Sequence, residues 1–493
     1  MQFTSVAYML FLAVGVAVYY TLPGVRSRTI WLLATSIAFY YSLSAAWTVV
    51  LLVVVLIGYV GGRCIQSARD PVDGKRALVV SIVLVVGVLA VFKYASFASS
   101  VVRDLLTFSG VSATLPLLRL ALPVGVSFWT FQTIAYLVDV HRGRISAERN
   151  LLTYALFVSF FAHVTAGPIA RGGQLLPQLA EKRRFSYEDM RSALLLMGWG
   201  FFKKLLVADP LGVIVNTVYG DPQAWPGRTH GLVLLIATLA FAVQIYCDFS
   251  GYTDIVRGSA RLFGVDLARN FDRPYFARSV KEFWRRWHMT LMEWLKDYVY
   301  IPLGGSRVSK VRRYVNILAV FLLSGLWHGA GYTFIVWGLL NGAYQILGDL
   351  TSGIRTRVAG ALKIDRDGPA WGLVQIVITF SLISVAWVFF RAESLTDALY
   401  ILPRMFFPTT GVLSDGTFLH LGLSKPQTMV AGMSALFVFG VDFVSTRTDL
   451  PGLLYRRPVA LRWAAYIALV LTIVVFGYYG ATYSASSFAY FKF

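Results

Sequence analysis

The chain has 493 residues, 57% hydrophobic, 15% aromatic and 14% charged, with a mean hydropathy of +0.63. Soluble domains average about 25% charged residues, so this composition excludes a soluble globular protein and implies an all-α polytopic membrane protein. The formal charge of +20 does not point to nucleic acid, because Lys and Arg fall in short loops near 63–76, 142–149, 182–191, 307–313 and 355–366. Positive-inside bias and attraction to the anionic headgroups of the bilayer account for that pattern, and contact with a phosphate-bearing cytosolic substrate is compatible with it.

Apolar runs near the required ~20 residues recur at 3–22, 29–61 (enough for two), 77–97, 114–138, 150–169, 190–218, 229–250, 314–348 (two), 370–390, 428–445 and 462–483. They predict roughly 11 to 13 spans. The first run lacks a basic n-region and a small-residue cleavage site, so it reads as a retained helix. No repeat, low-complexity tract or long linker interrupts the chain, which reads as a single membrane domain over 1–493. Several runs are broken by polar residues, Gly or Pro, as in 122–140 and 200–213. At membrane depth such breaks require protein or a water-filled cavity to satisfy the freed backbone groups. Cys64 and Cys247 are too few for a disulfide framework, and no Cys/His spacing predicts a metal site.

In 200–213, Lys203 and Lys204 interrupt apolar sequence. They are read either as snorkelling to the interface or as contacting a phosphate of a substrate. Asp248 and Asp254, at the end of the 229–250 run, call for cationic partners, and Arg257 and Arg261 are the near ones. Asp139 with Arg142, and Arg391, read as span-end anchors.

Residues 279–300 have helical spacing, with Phe283, Trp284, Trp287, Leu291, Trp294, Leu295 and Tyr298 on one face and mostly charged residues opposite. A Trp-rich, basic amphipathic helix lies in the interface plane. His288 falls on its apolar side, where a membrane anchor has no need of imidazole. Pro302, Gly304 and Gly305 end the element. The next apolar run, 314–342, has one histidine, His328, between Trp327 and Gly329, and otherwise no ionisable side chain except tyrosine. Imidazole in hydrocarbon is costly and marks either a packed interhelical hydrogen bond or a functional site. It is also the side chain best suited to moving protons near neutral pH. Asn316 and Ser324 flank it as interhelical hydrogen-bond candidates.

Taken together, 123–143, 166–179 (AGPIARGGQLLPQL), 200–209, 244–258, 270–307 with its WRRWH, 326–342 with its WHG, 384–394 and the tail FAYFKF (488–493) resemble the membrane-bound O-acyltransferase family, within it the bacterial alginate O-acetylase-like branch. The chain departs from the branch at Phe161-Ala162-His163, where a Phe-Pro-Gln type run is common. The resemblance implies a ring of helices around a central catalytic funnel, His328 as catalytic residue and His288 as its supporting histidine. It implies acetyl-CoA as donor substrate, with no bound cofactor, an exported polysaccharide as acceptor, an extracytoplasmic SGNH-type partner protein, and a place in the bacterial inner membrane. Trp327, Asn316, Lys203 and Lys204 are the expected substrate-binding residues. D-alanyl transfer from a carrier protein toward teichoic acid is the alternative within the family. A transporter explains the broken helices but not the WRRWH and WHG motifs. The aromatic tail, Phe488, Tyr490, Phe491 and Phe493, reads as interfacial packing or as a partner contact, with the Tyr490 phenol a possible acyl acceptor.

Overall fold

The computed structural model describes residues 1–110, 121–225, 230–366, 368–407, 416–417 and 421–479. The described residues are helical or irregular with no β-strand, their only bridge joining Phe271 and Trp287. The chain is an all-α polytopic membrane protein. Six described helices are long and apolar enough to cross a bilayer: Ala45–Ser67, Pro71–Phe108, Gly231–Arg261, Pro369–Arg391, Lys425–Val444 and Val459–Phe476. The difference from 11 to 13 has a local cause. Several predicted runs form short helices, such as Val126–His141 and Leu151–Ser159, while Val25–Leu43, Lys310–His328 and Tyr332–Leu350 reach 19 residues but carry polar side chains.

The chain divides into two compact units, one of residues 1–197 with 256–268, the other of 198–255 with 269–493. In the first, the Ala45–Ser67 helix presents Gly58, Gly61 and Gly62 to Tyr154, Ser81 and Tyr136, leaving no room for a Cβ. Such small-residue faces let membrane helices approach closely where burial from water supplies no drive. Tyr8 donates to Ser259 at 2.7 Å in an aromatic layer with Phe3, Phe39 and Phe161. Asp139 pairs with Arg144 at 3.2 Å.

The second unit has a core rich in Trp and Phe, including Trp284, Trp287, Trp337, Trp387, Phe283, Phe321 and Phe390. Ser309 caps the Lys310–His328 helix by accepting from the Arg312 amide. Gly329 ends it and Gly331 starts Tyr332–Leu350, making a tight antiparallel pair. That pair closes on Gly325 and Gly338, where a Cβ would run into the carbonyl oxygens of Phe334 and Phe321. Along Val459–Phe476 only Ile473 is buried, and the remaining side chains are exposed or half-buried, as suits a helix with a broad lipid-facing surface.

Candidate active site

The WHG segment forms the end of Lys310–His328, and His328 is its last residue, 4% exposed. Its Nδ1 lies 2.6 Å from the Ser324 carbonyl oxygen one turn back. A carbonyl only accepts, so Nδ1 carries the hydrogen, and in neutral imidazole the lone pair then resides on Nε2. The ring packs edge-on against Trp327 and Trp337, each with centroid at 4.9 Å, and Phe390 at 5.5 Å. The tautomer is thus set by the helix backbone and the ring orientation by three aromatic neighbours.

His288 is fully buried, and its ring centroid lies 6.4 Å from that of His328. Trp327 completes a triangle at 5.8 Å from His288, and Phe249 packs on the other side at 4.8 Å. The continuous 279–300 helix expected from periodicity is instead broken into Val280–Arg286 and Met289–Leu295, with His288 between them at φ 45°. This left-handed conformation is uncommon for a residue with a Cβ. Asn270 holds the break. Its carbonyl accepts from the Met289 amide at 3.0 Å, and its side-chain oxygen accepts from the Thr290 amide and hydroxyl at 3.2 and 2.7 Å. The Phe271–Trp287 bridge pins the preceding residue. The ordered break turns His288 inward, whereas a continuous helix would only have laid it along an apolar face. Burial, and secondarily the neighbouring His328, pushes the His288 imidazole well below its ordinary pKa, so it is neutral at pH 7.

The other expected residues divide. Trp327 belongs to the cluster, but Asn316 lies three turns from His328, about 18 Å along the helix, and donates to the Leu303 carbonyl at 3.1 Å. There it ties the 301–308 turn, with positive-φ Gly304 and Gly305, to the helix. Ser324 contributes its backbone to His328; its hydroxyl has no hydrogen-bond partner among the described residues. Lys203 and Lys204 begin a π-helical turn, Lys203–Ala208, and do not snorkel, being 4% and 1% exposed. Lys204 bridges Asp248 at 2.6 Å and Asp209 at 2.8 Å, while Lys203 binds Asp254 at 2.6 Å and Ser250 at 3.0 Å. These lysines replace the local arginines expected as partners: Arg257 donates to the Leu267 carbonyl and Arg261 pairs with Asp266. A one-residue widening of the helix sets both ammonium groups toward the acidic face of Gly231–Arg261. Phe249, the residue after Asp248 on that helix, is the one that packs on His288. His163 is buried in a turn of the first unit. Phe488, Tyr490, Phe491 and Phe493 lie outside the described residues.

Sequence reasoning missed Asn270, Asn341, Trp337 and Trp387. Asn341 accepts from Trp284 Nε1 at 3.1 Å and donates to the Trp337 carbonyl at 2.8 Å, so it locks two walls of the site. An Asn in the middle of an apolar run was the available signal.

Residues 140–390, half of the chain, match the membrane-bound O-acyltransferase family model. The chain is 35% identical to the "Probable alginate O-acetylase" of Pseudomonas aeruginosa, over 90% of this chain and 82% of that protein. It is 34% identical to the "Peptidoglycan O-acetyltransferase" of Helicobacter pylori, over 80% and 77%. The "Teichoic acid D-alanyltransferase" of Bacillus subtilis is 27% identical over 44% of this chain and 56% of its own. The family match and these relatives make the chain a membrane O-acyltransferase. The chain belongs to the membrane-bound O-acyltransferase family.

Proposed function

We propose that the protein moves an acetyl group from cytosolic acetyl-CoA across the bacterial inner membrane for O-acetylation of an exported polysaccharide, alginate or a similar polymer, through an SGNH-type extracytoplasmic partner. The observation that carries the chemistry is His328, whose Nδ1–H is committed to the Ser324 carbonyl and whose Nε2 bears the lone pair. In this reading Nε2 takes the proton from an acceptor hydroxyl as its oxygen attacks the thioester carbonyl. The tetrahedral intermediate collapses, the carbon–sulfur bond breaks, and the leaving thiolate takes the proton from Nε2. Such general-base catalysis is worth ~10²–10⁴-fold. His288 and Trp327 orient the reactants beside it, and Lys203 and Lys204, spent on buried carboxylates, hold the Gly231–Arg261 helix in place. The two relatives matched over most of the chain, both named as O-acetylating enzymes, support acetyl over D-alanyl.

Purified protein in proteoliposomes, supplied with labelled acetyl-CoA and polysaccharide but no partner, tests the relay. Label is expected to stay off the polymer until the partner is added. Efficient polymer acetylation without the partner would refute the relay.

A further inference from the structure

We propose that the indole N–H of Trp337 is the hydrogen-bond donor to the thioester carbonyl oxygen as it becomes an oxyanion; this deepens, and rests on, the acyl-transfer reading of His328. Three tryptophans of one core surround the site. Trp284 spends its N–H on Asn341 at 3.1 Å, and Trp387 spends its own on the Tyr275 hydroxyl at 3.2 Å. Trp337 is 1% exposed, and its N–H has no acceptor among the described residues. Native cores rarely leave a buried donor unspent, because desolvation is then uncompensated. Indole N–H donates and never accepts, so only an incoming acceptor satisfies it.

Position and rigidity agree. The Trp337 and His328 rings meet at 4.9 Å with 69° between planes, so the indole forms part of the wall against which a carbonyl reacting at His328 would lie. Trp337 is clamped by Trp284 at 5.6 Å, Phe390 at 5.1 Å and Trp387 at 6.0 Å, and the Asn341 amide grips its carbonyl. The adjoining Gly338 lies against the Phe321 carbonyl, where a Cβ would not fit. A donor fixed before reaction in a water-poor site pays no reorganisation as charge develops. In the step above, the carbonyl π pair moves onto oxygen during attack and returns as the thiolate leaves. Trp337 stabilises that oxygen without giving up its proton.

The test replaces Trp337 with 3-benzothienylalanine, which keeps the bicycle and lacks the N–H, alongside Trp337→Phe and a His328→Ala control. All are assayed in proteoliposomes with the extracytoplasmic partner and acetyl-CoA. The benzothienyl variant is expected to lose ~10²-fold in kcat, with KM for acetyl-CoA within a few-fold and melting temperature as in the parent. Parental kcat in that variant, beside an inactive His328→Ala, overturns the Trp337 assignment alone. An active His328→Ala overturns the acyl-transfer reading beneath it. Lost activity with a lowered melting temperature in both Trp337 variants assigns the residue to packing and also overturns the proposal.

Discussion

Lys204→Met removes the single ammonium that Asp209 and Asp248 share. Lys204 is 1% exposed at its side chain, and the two carboxylates are 5% and 3% exposed, with contacts of 2.8 and 2.6 Å. Solvent screening is therefore minimal. Loss of one partner of a buried pair costs about 3–5 kcal/mol, and here two buried carboxylates lose the ammonium they share. The upper part of that range is expected, seen as a fall of several degrees in melting temperature. Cys64 is exposed and Cys247 buried, so in a Cys64→Ser background a thiol-reactive dye reports unfolding through Cys247, next to Asp248. Adding Asp248→Asn to Lys204→Met removes one stranded charge and is expected to recover part of the loss. A single mutant as stable as the parent would refute the ion-pair reasoning. If that mutant instead raised KM for acetyl-CoA, Lys204 would be a donor-binding residue.

The positive φ of His288 predicts that His288→Gly and His288→Ala lose the same imidazole chemistry, with Gly the more stable, since left-handed backbone costs an L-residue roughly 1–2 kcal/mol; equal melting temperatures contradict this. Asn270→Ala strips two hydrogen bonds from Thr290, and at about 1 kcal/mol each it is expected to loosen His288 and lower kcat while leaving His328 intact; unchanged kcat counts against Asn270 as its positioner. In a double-mutant cycle His288→Ala and His328→Ala should be strongly non-additive across their 6.4 Å separation; multiplicative losses indicate independent sites. Because the folded-state pKa of His288 is depressed, the unfolded chain binds its proton first. Its contribution to stability is whole above about pH 6.5 and is lost as pH falls from there toward the folded value. The pH-stability profile of His288→Gly should be flatter over that range, and an identical profile contradicts the burial effect.

The sequence made the helical class and the odd histidine of the 314–342 run legible because each is local: run length, one residue out of character. The break at His288 was not, since no Gly or Pro marks it and Asn270, eighteen positions upstream, enforces it. Periodicity across 279–300 is nearly continuous, so tertiary hydrogen bonds override it. The partners of Asp248 and Asp254 were misassigned for the same reason. Arg257 and Arg261 are near in sequence, whereas Lys204 and Lys203 are 44 and 51 positions away and reach across through a π-helical turn. Asn316 looked like a site residue because it shares a helix with His328, but three turns separate their side chains. Trp337 carried no sequence signal beyond its type; what sets it apart is an indole N–H that, among the described residues, has no acceptor while those of Trp284 and Trp387 do.

The most direct measurement is labelled acetyl transfer from acetyl-CoA by His328→Ala protein, matched to the parent for membrane insertion and melting temperature, with partner and polysaccharide present. Transfer is expected to be abolished. Acetylation at near-parental rate would contradict His328 as the base.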